Sequence, residues 1–226
     1  MSELHEPEPH EPDLYEPEPR EPDLREPELR RLGSDDWALW RELRLAALTE
    51  APYAFGSTLA DWQGAGDHEA RWRSRLEIPG ALDLVAVLDG RPVAMASGVP
   101  AEEGGAAAEL ISLWVGSAAR GRGVGDRLIG AIARWAAEQG FTTLKLAVNP
   151  DNGAAIALYR RNGFAETDEP GDLMADGVRR ELILARELGG GAVGNLGNRT
   201  SEERSSLRCA GLFEQFSGLQ AGLSGC

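Results

Sequence analysis

Apolar residues recur at helical spacing between about residues 34 and 48, where Trp37, Trp40, Leu43 and Ala47 share one face behind Ser34-Asp35-Asp36, a natural helix cap. "ELRRL" just before it reads as a short strand, and "TEAPYAFGST" (49–58) after it as a loop punctuated by proline and glycine. A second, charge-rich helix spans roughly 67–77, with Trp72 and Leu76 as core contacts. The period then drops to two. "LDLVAVLDG" (82–90) and "RPVAMASGV" (91–99) flank Asp89-Gly90, a type I′ hairpin signal, and "AELISLWV" (108–115) extends the pair into an antiparallel meander. Helical spacing returns from about Gly123 to Gln139, with Leu128, Ile132, Trp135 and Ala136 on one face and Gly140 as the stop. A strand over 142–148, a short helix over 152–161 and strands near 164–168 and 178–186 complete the pattern. It predicts the α/β class (α+β type): a mixed, mostly antiparallel central sheet flanked by helices.

Outside residues 28–188 this patterning stops. Residues 6–30 repeat a five-residue unit, EPEPH, EPDLY, EPEPR, EPDLR, EPELR, so residues 1–27 are expected to form an acidic, Pro-rich, disordered tail. Residues 189–226 read as a second flexible tail rich in Gly and Ser. The formal net charge is −14, and residues 1–30 contribute eleven Asp/Glu against three Arg. This balance argues against nucleic acid and anionic membrane as partners and is compatible with a cationic substrate. No apolar run reaches membrane-spanning length and no signal peptide is seen, so a cytoplasmic location is expected. The two cysteines, Cys209 and Cys226, suggest neither a disulfide framework nor a thiolate metal site; His5, His10 and His68 are scattered, and no metal is expected. The apolar strand near 178–186, taken as an edge, leaves a homodimer open.

The most unusual stretch is "SAARGRGVGDRLI" (117–129), which places three glycines at alternate positions between a strand and a helix. A Walker loop would need Gly-Lys followed by Ser or Thr, and the Lys is absent. Both registers of a GxGxxG fingerprint fail, at Asp126 and at Leu128. Arg120-x-x-Gly123-x-Gly125 instead matches the Arg/Gln-x-x-Gly-x-Gly/Ala signature. With "NPDNGAAIALYRRNGF" (149–164), which supplies Asn152, Ala155, Leu158, Tyr159, Gly163 and Phe164, the chain resembles the GCN5-related N-acetyltransferase (GNAT) family. The resemblance spans 28–188 in layout, and its specific motifs lie within 109–164.

The resemblance implies acetyl-CoA as co-substrate, with its pyrophosphate on the turn formed by Arg120, Gly121, Arg122, Gly123, Val124, Gly125 and Asp126. Backbone N–H groups at the positive end of a helix dipole suit that anion. It assigns Asn152 to the coenzyme A arm, alongside a role as helix N-cap. It also assigns the end of the strand, Leu113, Trp114 and Val115, to the cofactor, with amides near Val115 holding the developing oxyanion. Gly116 and Pro150 are expected to part the strands there. Tyr159 is the expected general acid, against a core tyrosine with a satisfied hydroxyl. Some relatives carry a glutamate where this chain has Ala147, so Glu109 becomes the candidate base, against a solvated charge at a strand end. Tyr53 and Phe55 are candidates for an acceptor pocket or for hydrophobic anchors. The expected reaction is direct transfer, in a ternary complex, of an acetyl group to a primary amine of a small molecule or protein. The alternative is a non-catalytic acyl-CoA-binding sensor or structural module on the same fold.

Overall fold

The computed structural model describes residues 26–101, 105–174 and 176–189. The acidic repeat up to residue 25 and the tail from 190 onward lie outside the described residues. Strand β1 (Glu28–Arg31) leads into α1 (Trp37–Glu50), a long loop and α2 (Glu69–Arg75). The meander β2 (Leu82–Leu88), β3 (Arg91–Pro100) and β4 (Ala107–Val115) follows. Then come α3 (Val124–Glu138), β5 (Thr143–Val148), α4 (Gly153–Arg161), β6 (Ala165–Leu173) and β7 (Arg180–Glu187). The sheet runs β1-β2-β3-β4-β5-β7-β6, antiparallel except for the β4–β5 pair.

Alternation along the strands builds two cores on opposite faces. Leu84, Ala86, Ala94, Ala96, Ala108 and Leu110 point to one face and pack under α3, whose Leu128, Ile132, Trp135 and Ala136 are buried as the spacing predicts. Contact there is tight: a Cβ on Gly98 would sit 2.5 Å from the Trp135 ring, so only glycine lets α3 lie this close to β3. Val85 and Met95 point to the other face, where Trp40, Leu43 and Trp72 of α1 and α2 cover them. Burying tryptophans such as Trp40 and Trp72, both with no exposed surface, makes truncation there worth about 3–5 kcal/mol each.

Several local features differ from the sequence expectation. Ser34–Asp36 forms a separate 3-10 turn, and the Asp36 carboxylate accepts from the Gly33 N–H at 3.0 Å rather than capping α1. The Asp89-Gly90 hairpin has positive φ at both residues (50° and 73°), as a type I′ turn needs. β6 runs on to Leu173 through Pro170, with two register shifts against β7; as the outermost strand it tolerates a residue that donates no hydrogen bond. β7 itself lies between β5 and β6, so the strand over 178–186 is not an edge: the sheet's free edges are β1 and β6.

Candidate functional site

The parallel β4–β5 pair is short. Pairing covers only Ala107–Glu109 against Thr143–Lys145, after which the strands part, β4 keeping β3 as its neighbour and β5 keeping β7. The expected causes, Gly116 and Pro150, are not where this happens. The irregularity in β4 lies at Ser112, whose φ of 56° marks an inserted residue between the Ser97–Ile111 and Met95–Trp114 pairs. The extra residue reverses the alternation, so Leu113 and Val115 join Leu110 on the α3 face while Trp114 packs toward α1 and α2. On the β5 side, divergence begins at Leu146, well before Pro150. Gly116 serves a different need: a Cβ there would meet the Val93 carbonyl and the Trp114 ring, each at 3.2 Å.

Gly116 donates its N–H to the Val93 carbonyl at 2.9 Å, so strand alternation turns the peptide edge of Val115 toward the side that β5 has left. The turn beyond it is exposed at Gly121, Arg122 and Gly123. Gly121 and Gly123 hold φ of 74° and 73°, and a Cβ on either would meet nothing within 4 Å. Their glycines therefore serve backbone conformation, not packing. Gly123, which opens α3, has no side chain to cap it; the Asp126 carboxylate accepts from its own N–H, and the N–H groups of Val124 and Gly125 have no carbonyl one turn back inside the helix. An exposed turn with two left-handed glycines, leading into a helix whose first residue has no capping side chain, fits a phosphate anion. Gly125 brings the parts together: its Cβ would lie 3.0 Å from Leu158 Cδ2 on α4 and 3.8 Å from Val115 Cγ2 on β4.

The charged side chains of the turn are already engaged. Arg120 donates to the Val115 carbonyl at 3.0 Å and ion-pairs with Glu50 at the end of α1. Asp126 accepts two bonds of 2.7 Å from Arg161 and one of 2.8 Å from Asn162, clasping α3 to the end of α4. The Arg161 hydrogen bond, helped by Asn162, holds the Asp126 carboxyl below its usual range. Asn152 caps α4, its Oδ1 accepting the Ala155 N–H at 3.1 Å. Tyr159 lies in the α3-face core with 8 % of its surface exposed, edge-on to Phe164. Its hydroxyl makes no hydrogen bond among the described residues, and burial pushes the phenol up to about 12.

Glu109 sits at the apex where the strands part, paired with Val99 on one side and Lys145 on the other, and is half-buried. Alternation points it away from Ala108 and Leu110, toward the face that carries α1 and α2. On that side the loop after α1 crosses to β5. The Tyr53 carbonyl accepts from Asn149 Nδ2 at 3.1 Å, while the Tyr53 ring is 62 % exposed. Phe55 lies under the Arg44 guanidinium at 4.5 Å. Asn149, Arg44, Ser112 and Glu50 are the residues that sequence reasoning missed. Only Arg44 left a trace, a charge on the buried stripe of α1.

The parted strands and the glycine turn thus lie side by side at the C-terminal end of β4. The sequence profile described as the acetyltransferase (GNAT) family matches residues 37–164, more than half of the chain, and the chain belongs to that family. It is 36% identical over 80 residues to YwnH of Bacillus subtilis (strain 168), a candidate phosphinothricin acetyltransferase, covering 34% of this chain and 49% of that one. It is 34% identical over 101 residues to the L-2,4-diaminobutyric acid acetyltransferase of Nocardia farcinica (strain IFM 10152), covering 42% of this chain and 50% of that one. The matches thus span about half the length of these relatives. Among solved structures, a ribosomal-protein-alanine N-acetyltransferase from Brucella melitensis superposes with a TM-score of 0.54 at 26% identity, over 71% of this chain and 99% of that one.

Proposed function

We propose that the protein is an N-acetyltransferase that moves an acetyl group from acetyl-coenzyme A directly to a primary amine of a small molecule or protein. The observation that carries this reading is the parting of β4 and β5 after Glu109 and Lys145, beside an exposed glycine turn. Such a gap admits a thin thioester arm between two strands while the turn holds its diphosphate. Acetyl-coenzyme A supplies an activated acetyl thioester. The main chain of Gly121, Gly123, Val124 and Gly125 faces its diphosphate, and Leu113, Trp114 and Val115 line its arm, with Asn152 on the far side.

The chain's own groups divide the remaining work. The Val115 amide, on the side vacated by β5, donates to the carbonyl oxygen as that oxygen gains charge. An alkylamine has a pKa near ~10.4, so the acceptor must lose a proton, which Glu109 accepts directly or through water. As the new C–N bond forms and the C–S bond breaks, Tyr159 donates its proton to the departing sulfur. A phenol held near 12 stays protonated at working pH, which suits a donor and not a base. Ala147 stands where some relatives carry a glutamate, so an N-terminal protein acceptor is not carried over from the ribosomal-protein neighbour.

The test is an acceptor screen with acetyl-coenzyme A, read by thiol appearance and confirmed by product mass. An amine-dependent release of thiol with an acetylated product is expected. Coenzyme A binding without amine-dependent release across the screen would favour the sensor reading.

A further inference from the structure

We propose that Arg44 receives a carboxylate of the acceptor, so that the amine acetylated belongs to an amino-acid-type molecule. This rests on the acetyltransferase reading above and names the substrate class of the same site. Arg44 occupies the buried stripe of α1 between Leu43 and Ala47, with only 9 % of its surface exposed. A buried guanidinium ordinarily has an acidic partner. Its neighbour Arg75 has one: it donates to Asp83 at 3.2 Å and to Ser97 at 2.9 Å, and Ser97 in turn donates to Asp83. Arg44 has none among the described residues. Its Nη2 donates to Ser57 Oγ at 2.9 Å, its face rests on Phe55, and its Nη1 is buried with no acceptor.

The surroundings are rich in donors and poor in acceptors. Ser57 Oγ already receives the Trp62 indole N–H at 3.1 Å as well as Arg44. The Trp114 indole N–H, on the stretch of β4 that β5 has left and packed on the core that holds Leu43 of α1, is also buried with no acceptor among the described residues. Burial and the positive charge of Arg75 lower the Arg44 guanidinium to about 10, the expected direction for a cation lacking its counterion. A carboxylate offers a planar pair of oxygens that match a guanidinium edge, which a neutral or polycationic amine does not. The loop that holds Phe55 and Ser57 is also the one whose Tyr53 carbonyl is tied to Asn149 at the end of β5. The loop that carries the partners of Arg44 is therefore anchored at the end of β5, one of the two parted strands.

The experiment uses the full chain and three pairs that differ by one carboxylate: L-2,4-diaminobutyrate, ornithine and lysine, each against its decarboxylated diamine. The best acceptor is expected to be a carboxylated member, favoured at least tenfold in kcat/KM. Arg44→Gln is expected to raise KM for that acceptor at least tenfold while leaving its diamine within about twofold, and Arg44→Lys to recover part of the loss. Equal use of both members, or equal damage by Arg44→Gln to both, overturns the proposal while leaving acetyl transfer intact. Should no pair be turned over, thermal melting at fixed ionic strength decides: stabilisation of wild type, but not of Arg44→Gln, by the amino acids supports the carboxylate site, and no stabilisation overturns it. Coenzyme A calorimetry on Arg44→Gln checks that the variant is folded, and absent heat in wild type counts against the acetyltransferase reading alone.

Discussion

Arg120 is bound at both ends: its Nε donates to the Val115 carbonyl at 3.0 Å, and its guanidinium ion-pairs with Glu50 seventy residues earlier. The arginine of the glycine signature thus ties the end of β4 to the end of α1. Such a partly exposed pair is worth about 1 kcal/mol. Arg120→Ala is accordingly expected to weaken coenzyme A by less than about tenfold in calorimetry. A loss above a hundredfold would mean that the side chain, not the main chain, holds the diphosphate.

Tyr159 combines a buried ring with a hydroxyl that has no partner among the described residues. Tyr159→Phe is expected to lower kcat by about a hundredfold or more with little change in the acetyl-CoA dissociation constant, measured where chemistry is rate-limiting. Because burial holds the phenol near 12, its ionisation is not expected to produce a falling limb in the rate below about pH 10. Unchanged turnover in the Phe variant removes the assignment.

The Arg75–Asp83 pair joins the last residue of α2 to β2, with both side chains almost wholly buried. Removing the acid strands a cation, so Asp83→Ala is expected to destabilise by about 3–5 kcal/mol in denaturant melts. The double variant Arg75→Met with Asp83→Ala is expected to recover much of that loss. A single variant within about 1 kcal/mol of wild type contradicts the pairing.

Asp67 joins α1 to α2 by accepting from Arg41 and from the Trp72 indole N–H at 2.9 Å. The Arg41 hydrogen bond, then that of Trp72, holds its carboxyl down to about 2. The folded value lies below the unfolded one near ~3.9, so this stabilisation is complete above the unfolded value and drains as pH falls through the folded value. Asp67→Asn is expected to flatten the stability profile between about pH 4 and pH 2 in acid melts. A wild-type acid profile in the variant contradicts the assignment.

Local periodicity made most elements legible, because burial enforces it: Leu128, Ile132 and Trp135 on α3, and the Asp89-Gly90 hairpin between alternating strands. The glycine turn was legible for the same kind of reason, since φ above zero at Gly121 and Gly123 is a backbone demand written in residue type. What escaped was set by contacts between distant segments. Nothing local marks Ser112 as the residue that reverses the strand's alternation, since serine carries no preference for φ of 56°. The Glu50–Arg120 and Tyr53–Asn149 links join residues seventy and ninety-six apart, so no window along the chain contains them. Arg44 was the exception: a charge at a helical core position is visible, but its missing counterion is not.

The central claim is that main-chain amides at the mouth of α3 hold the diphosphate of a coenzyme A thioester. Titration calorimetry of coenzyme A into the wild-type protein and into Gly123→Val tests it most directly, because a β-branched residue resists the φ of 73° while meeting no neighbour. Saturable one-to-one binding in wild type, weakened at least about tenfold in a folded Gly123→Val, is the result expected. No heat from the folded wild type, or equal affinity in both, contradicts it.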